Sequence, residues 1–581
     1  MPYEGKLDTV VTNDQAAHGS KQGPKPLVVF RLAGTEREMG LQHAALLRQV
    51  GGWRPTLEYY PRMVERVIAG AHDGPDLLGA ALTPVARVAL KRLHRRRPPE
   101  LRERSEAFYR GLGLAPEEAS SLGVMDVLQN FIGVAGAVGV GGVRRRLLYA
   151  APAACSTLSV WGEASADGRL LHARNFDFPG TGVWEQGQAV VFCRPDDGIP
   201  YGFVTTRGAD VPAVSAFNEA GLCLTTHTRF HQHVDFGGAL IVDMCHEVIR
   251  RAETVEQAVS MLRGYRSAST WGVMVSSGRE RRSALVELTA RGSAVTEPTG
   301  PWLTCTNRYR ASALQRSELQ PSPGFMMHSD GRFQVLERHA QAFAEGDGAT
   351  PEALQALLGS HEDGDLPDVE RAAGGVLAQA NGVHAVVLDP ERQQVDVAVG
   401  DAPAGHGPWQ RVPWRFTQDV GVETCSAPVA GAEVKPSRYG DGASGVAYRR
   451  FLDAARQEMW GGSATVAAEA LEEACALDRS EPTYRLLAGG YRLRAGDLSG
   501  ALSHFEAGLA HERSPFYRAR LLLWASRCAP SGTAHRAELA ALRHPQIGHY
   551  QRWAAEEAST PLPARRLRKT QVQLQLCDLN L

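Results

Sequence analysis

The chain has 581 residues, a formal net charge of −1 and 43% hydrophobic residues, which excludes global disorder and any whole-chain basic field for nucleic acid. At ~150 residues per domain this length allows two to four domains. The nine cysteines, at 155, 193, 223, 245, 305, 425, 475, 528 and 577, form no CxxC pair, which excludes a zinc ribbon or a disulfide framework and suits a reducing compartment.

Residues 1–27 are polar, without the basic start and apolar run of a signal peptide, so they read as a flexible N-terminus and the expected location is cytoplasmic. Residues 28–154 carry the helical patterns REMGLQHAALLRQV, PVARVALKRLHRR, ELRERSEAFYRGLG and EEASSLGVMDVLQNFIGV and are predicted as a helical segment. The basic clusters at 94–97 and 144–146 read as solvated faces. The most apolar run, 131–143, is shorter than the ~20 residues of a bilayer span.

At Cys155 the period changes. STLSVW, RLLHARNFDF, AVVFCR, YGFVTTR, AVSAFN and LCLTTHT read as short strands between turn signals such as ADG, PDDG and NEAG. Two helical patterns follow, ALIVDMCHEVIRRA and TVEQAVSMLRGY, and then the strands WGVMVSS, SALVELTA and SAVTEP. A helix is predicted over RFQVLERHAQAF, and the hairpin HAVVLDPERQQVDVAV closes the region. Residues 155–415 are therefore predicted as a layered α+β domain, because hairpin-linked strands make antiparallel sheets.

Residues 416–445 read as a linker, and 446–560 as a helical domain rich in Ala, Leu, Glu and Arg. Ala467/Ala501, Leu471/Phe505, Ala474/Gly508 and Ser480/Ser514 recur at a spacing of 34. This resembles tetratricopeptide repeats, with small residues where paired helices cross; an ordinary helical bundle is the other reading. Two helix pairs are legible where three are normally needed, so packing against the preceding domain or self-association is expected to supply the rest. The domain also offers a surface for a protein partner. Residues 561–581 read as a C-terminal tail.

The chemistry centres on Cys155, which opens a strand after four small or turn-forming residues and is followed across a hairpin by Arg174-Asn175-Phe176-Asp177. Arg174 and Asp177 both approach the cysteine only with a twist or bulge, because three apart on a strand puts them on opposite faces. A cysteine attacks as thiolate and needs a base or positive charge beside it. A cut between Ala154 and Cys155 would create an α-amine of reference pKa ~7.7–8, a base within the nucleophile's own residue. Asp177 would hold that amine and Arg174 would favour the thiolate; the plain alternative is a cross-strand ion pair.

The middle of the chain, roughly residues 33 to 410, resembles the cysteine-type N-terminal nucleophile (Ntn) hydrolases. The likeness is to the penicillin acyltransferase branch, related to choloylglycine hydrolase, penicillin V acylase and acid ceramidase. The residues that carry it are Gly34-Thr35 with Glu38-Met39-Gly40-Leu41-Gln42-His43, then Cys155-Ser156-Thr157, Arg174-Asn175-x-Asp177, Asn218-Glu219-Ala220-Gly221-Leu222, Thr306-Asn307 and Ser329-Asp330-Gly331-Arg332-Phe333. The resemblance implies a four-layer αββα fold, self-cleavage between Ala154 and Cys155, and an acyl-Cys155 intermediate in the hydrolysis or transfer of a linear amide. No cofactor is involved, and the partner is a small-molecule acyl amide. It further implies Asn307 as oxyanion donor and Arg332 as completing the charge network near Asp177. A second oxyanion or substrate-binding group falls on Asn175, His227 or Thr228.

A different chemistry is offered by His227, His231 and His233, with Asp235 close by, since histidines at such spacing can collect zinc. The remaining alternative is a catalytically inactive scaffold that binds protein through its repeats.

Overall fold

The computed structural model describes residues 26–60, 77–138, 154–320, 322–425, 429, 437–459 and 462–581. Residues 1–25 of the N-terminus expected to be flexible, the basic cluster at 144–146 and the end of the apolar run lie outside the described residues. In chain order the strands are β1 (Leu27–Gly34), β2 (Ala154–Gly162), β3 (Gly168–Asp177), β4 (Gln188–Pro195), β5 (Tyr201–Thr206), β6 (Ser215–Asn218), β7 (Leu222–Thr228) and β8 (Trp271–Ser277). Then follow β9 (Arg282–Thr289), β10 (Gly292–Thr296), β11 (Trp302–Cys305), β12 (Gly382–Asp389), β13 (Gln394–Ala398), β14 (Trp409–Pro413) and β15 (Gly421–Cys425). They form a nine-stranded sheet, β10-β9-β8-β7-β6-β5-β4-β1-β15, and a six-stranded sheet, β11-β2-β3-β12-β13-β14.

Alternation along the strands fixes which face each sheet buries. On β1 and β4, Leu27, Val29, Val190 and Phe192 share an apolar cluster with Val386, Leu388, Val395 and Val397 of the smaller sheet. Their neighbours Val28, Phe30, Val191 and Cys193 point the other way, into a cluster with helices α1 (Glu36–Val50), α3 (Pro99–Gly111), α5 (Ile241–Arg251) and α6 (Val255–Gly264). Helices α2 (Leu77–Arg95) and α4 (Val124–Val138) pack instead in a second cluster, with Cys155 and Phe176. On the far side, Leu158, Val160, Leu171 and Ala173 pack beneath α7 (Pro323–Glu345) and α8 (Pro351–Leu358). The order is therefore helices, large sheet, small sheet, helices.

The N-terminal segment is not all helix. β1 lies inside the large sheet, parallel to β4 and antiparallel to β15, and its run LVVFRLAG satisfies both faces of a buried strand. The predicted linker likewise contributes β15. Helix α7 begins at Pro323, well before the predicted start at Arg332, with Ser322 accepting the Phe325 N–H at 3.1 Å. Pro at the first turn and a serine cap are sound helix starts; Gly324, Ser329, Asp330 and Gly331 disguise the turns that follow.

Beyond β15 come α9 (Gly442–Met459), α10 (Ala464–Leu477), α11 (Pro482–Ala495), α12 (Leu498–Leu509), α13 (Pro515–Cys528), α14 (Thr533–Ala541) and α15 (Gly548–Ser559). The residues repeating at 34, Ala467, Leu471 and Ala474 on α10 and Ala501 and Phe505 on α12, are buried. Ser480 and Ser514 precede the proline-initiated helices α11 and α13. The last residues form a small hairpin, β16 (Gln571–Gln573) and β17 (Asp578–Asn580). Val572, Leu574, Cys577 and Leu579 of this hairpin are buried with Tyr484 and Leu487 of α11, within the residues read as a C-terminal tail. Among the described residues no helix is long and apolar enough to cross a membrane.

Candidate active site

β2 and β3 are hydrogen-bonded neighbours with Ala154 opposite Asp177, Cys155 opposite Phe176 and Thr157 opposite Arg174. Odd positions of β2 and even positions of β3 face the large sheet. Thr157 Oγ1 lies 3.0 Å from His227 Nε2, and Arg174 reaches across to donate to the carbonyls of Val214 and, at 2.8 Å, Thr226. Cys155 shares this inner face, and Arg174 Nη2 donates to its Sγ at 3.1 Å. The sulfur is 1% exposed and joins an apolar cluster with Phe176, Phe178 and Trp184 and with helix residues Val127, Leu128 and Phe131. Burial pushes the Cys155 thiol up, Arg174 opposes this, and Asp177 adds to the rise.

The outer face holds the second arginine. Arg332, from α7, donates through Nη1 to the Cys155 carbonyl at 2.6 Å and to Ser156 Oγ at 2.8 Å, and through Nη2 to Asn307 Oδ1 at 2.8 Å. Asn307 follows β11, which pairs with β2. Its Oδ1 accepts the Cys155 backbone N–H at 2.9 Å and its Nδ2 donates to the Thr228 carbonyl at 3.1 Å. Its own N–H donates to Ser329 Oγ at 3.1 Å. Arg174 and Asp177 lie on opposite faces of β3: Arg174 serves the sulfur, and Asp177 lies on the far face 4.0 Å from Arg332.

Asp177 is fully buried, and among the described residues neither carboxylate oxygen has a hydrogen-bond partner. Burial raises it to about 6, against the pull of Arg332 and Arg174. A buried carboxylate held only by ion pairing at this range is costly. It stands opposite Ala154, the residue that precedes Cys155.

The other expected residues lie elsewhere in the network. Asn175 points to the outer helices and donates to the carbonyls of Leu358 and Leu377 at 2.8 and 3.1 Å, which leaves it no reach to the sulfur. His227 is buried between the sheets, and burial, reinforced by Arg174 and Arg229, holds it neutral. Thr228 contributes its carbonyl to Asn307. The zinc arrangement does not form: His231 Nδ1 accepts the His233 N–H at 3.0 Å, Asp235 pairs with Arg266 at 2.6 Å, and His227 lies against Thr157. Among the described residues no three such side chains gather to hold a metal.

Two motifs are structural. Thr35 and Glu38 form a capping box at α1, and Gln42 binds both backbone groups of Ala33 at 3.0 and 2.8 Å. In the β6–β7 turn, Asn218 Oδ1 accepts the Leu222 N–H at 3.0 Å, its Nδ2 donates to Ile249 and Ala252, and Gly221 adopts φ +87°.

Sequence reasoning missed Ser156, Ser329 and the Asp330–Arg308 pair behind the site. Ser329 was on the page inside the Ser-x-x-Arg-Phe motif, where its spacing of three from Arg332 was the available signal.

No family model and no curated protein matches this chain. Among solved structures it is similar to a Caenorhabditis elegans N-acylethanolamine-hydrolyzing acid amidase (NAAA) ortholog, with 13% identity, 41% of this chain and 93% of that chain covered, and a TM-score of 0.28.

Proposed function

We propose that the chain is a self-processing cysteine amidohydrolase or acyltransferase of the Ntn type, acting on linear amides. The observation that carries this reading is the convergence on one residue: Arg174 at the Cys155 sulfur, Arg332 at its carbonyl and Asn307 at its N–H. A structural core cysteine needs none of these, since free cysteines pack as small hydrophobes.

In the first step the Cys155 thiolate attacks the Ala154 carbonyl carbon. The C–N bond breaks, the proton given up by the thiol passes to the departing peptide nitrogen, and a thioester forms. Water then hydrolyses the thioester: one of its protons returns to the sulfur and the other is released to solvent, giving an Ala154 carboxylate, a free thiol and the Cys155 α-amine. That amine donates to the Asp177 carboxylate, and it becomes the base for the second reaction. It takes the thiol proton, the sulfur attacks the substrate amide carbon, and Asn307 Nδ2, turned from Thr228, donates to the developing oxyanion. The amine of the substrate leaves with the proton, and water or another amine accepts the acyl group. The apolar surroundings of the sulfur favour an apolar acyl group.

N-terminal sequencing and intact mass of the purified chain test this directly. The expected result is a large fragment beginning at Cys155, and a single whole chain for Cys155→Ala. A wild-type chain that stays whole, or a Cys155→Ala chain that is cut, overturns the reading.

A further inference from the structure

Helix α7 carries Arg332, and the turns just before it are held from behind. Positions 324, 327, 328 and 331 fall on one helical stripe, while 325, 329 and 332 fall on the stripe toward the site. Along the first stripe, a Cβ at Gly324 would lie 2.5 Å from Asp578 Oδ2. Met327 is buried with Phe516, Tyr517 and Tyr550 of α13 and α15. Gly331 lies so close to Gly375 that a Cβ would fall 2.7 Å from its Cα. Gly375 in turn donates its N–H to Tyr517 Oη at 2.8 Å. Beside the stripe, Asp330 Oδ2 accepts from Gln546 Nε2 at 2.5 Å and from Arg308 at 2.8 Å.

The two units are locked together. Arg371 makes a bidentate pair with Glu512 at 2.8 and 2.9 Å, donates to Asp363 at 2.7 Å and lies over the Tyr517 ring at 3.8 Å. A bidentate, stacked arginine fixes orientation as well as distance. The C-terminal hairpin packs on α11 through Val572 and Leu579, and Leu574 donates its N–H to Glu458 at 2.9 Å. That hairpin sends Leu576 into the apolar cluster containing Phe325, Met326 and Cys155. This much of the helical domain's surface is committed within the chain.

We propose that the C-terminal helical domain and the hairpin that follows it are a positioning element of the catalytic centre: through Tyr517, Gln546 and Asp578 they fix the rotation of α7 so that Arg332 reaches the Cys155 carbonyl and Asn307. The proposal rests on the reading of Cys155 as a self-cleaving nucleophile. A helix turns by 100° per residue, so a small roll of α7 carries the guanidinium off both acceptors. Gln546 touches none of the reacting groups and acts only through Asp330 and the helix.

The test uses the full chain, made by cell-free synthesis, with scission at Ala154–Cys155 followed by intact mass from pH 5 to 9. Gln546→Glu sets a carboxylate against Asp330, whereas Gln546→Arg restores a donor. Scission is expected to slow at least tenfold in Q546E and to stay within threefold of wild type in Q546R. In Q546E the acid limb of the rate profile moves to higher pH, because a retreating Arg332 leaves Asp177 with Arg174 alone to oppose its burial. A loss of stability by itself lowers the amplitude without moving that limb. Hydrogen exchange is expected to quicken in α7 ahead of the sheets. Gln546→Ala carries the same expectation should Q546E not fold. Wild-type rate and profile in both Q546E and Q546A overturn the proposal while leaving the nucleophile standing. An uncut wild-type chain overturns both.

Discussion

Arg174 Nη2 lies 3.1 Å from Cys155 Sγ although Arg174 is opposite Thr157, two residues along, in the ladder. The guanidinium leans forward along its strand toward Phe176, anchored by the carbonyls of Val214 and Thr226, and meets the sulfur on the face between the sheets. Replacing it with Gln removes the charge that opposes the burial of the thiol. A hydrogen bond to a charged group is worth ~1.5–3 kcal/mol, so scission in Arg174→Gln is expected to slow about 10–100-fold at pH 7. Its rate profile shifts to higher pH, and Arg174→Lys falls between. A variant profile with the wild-type midpoint would remove Arg174 from the thiolate's support.

Asn307 both accepts and donates, and two substitutions separate the roles. Asp at 307 keeps the acceptor facing Cys155 N–H and Arg332 but loses the Nδ2 donor; Ala loses both. With Asn307 as oxyanion donor, both variants are expected to lose about 10²–10³ in rate, the usual cost of one such donor. If Asn307→Asp processes and turns over as wild type does, the donor role is excluded.

Asp177 gives a stability prediction with a definite sign. Its folded pKa, about 6, is above the ordinary aspartate value of 3.8, so the folded chain binds this proton more tightly than the unfolded chain. The associated stability is fully present below pH ~4 and is lost as pH rises through 6. In a Cys155→Ala background, which keeps the chain whole, Asp177→Asn is expected to be more stable than its parent above pH 6, by up to about 3 kcal/mol, and equal to it near pH 4. Asp126, Glu185 and Glu458 are also raised by burial but remain in both proteins and cancel. Denaturant titrations at pH 4, 5, 6 and 7 measure the difference; a gap that does not widen with pH contradicts the environment described for Asp177.

The piece before the cut is expected to stay in place. β1 is paired on both sides, and Arg104 of α3 donates to Asp210 at 2.7 and 2.9 Å, Glu36 at 2.9 Å and Tyr201 at 2.8 Å, all buried. Burial alone raises Glu36, yet His246 and Arg104 hold it down to about 2. Native mass spectrometry of processed protein should show both fragments in one particle, separating only in denaturant. Arg104→Ala strands buried carboxylates and is expected to cost ~3–5 kcal/mol.

What the sequence revealed follows from the physics of each signal. Period-2 runs such as SALVELTA mark strands because one face is buried and the other is not, and Cys155 with Arg174 was legible as a hairpin pair. The strand LVVFRLAG was absorbed into a helical segment because buried strands lack alternation. The start of α7 was hidden by Gly324 and Gly331, which are there for close approach to Asp578 and Gly375. The final QVQLQLCDLNL alternates in plain sight and was read as tail. Asn175 was expected near the sulfur because Arg174 reaches it, but one residue along the strand it faces out with Asp177 and binds the carbonyls of Leu358 and Leu377.

The partners of Cys155 are far downstream: Asn307 is 152 residues away and Arg332 is 177. A nascent polypeptide emerging from the ribosome therefore carries its nucleophile long before it carries the groups that would arm it. With α7 braced by Tyr517, Gln546 and Asp578, the proposed scission would wait for those residues as well. A product truncated before them would stay inert.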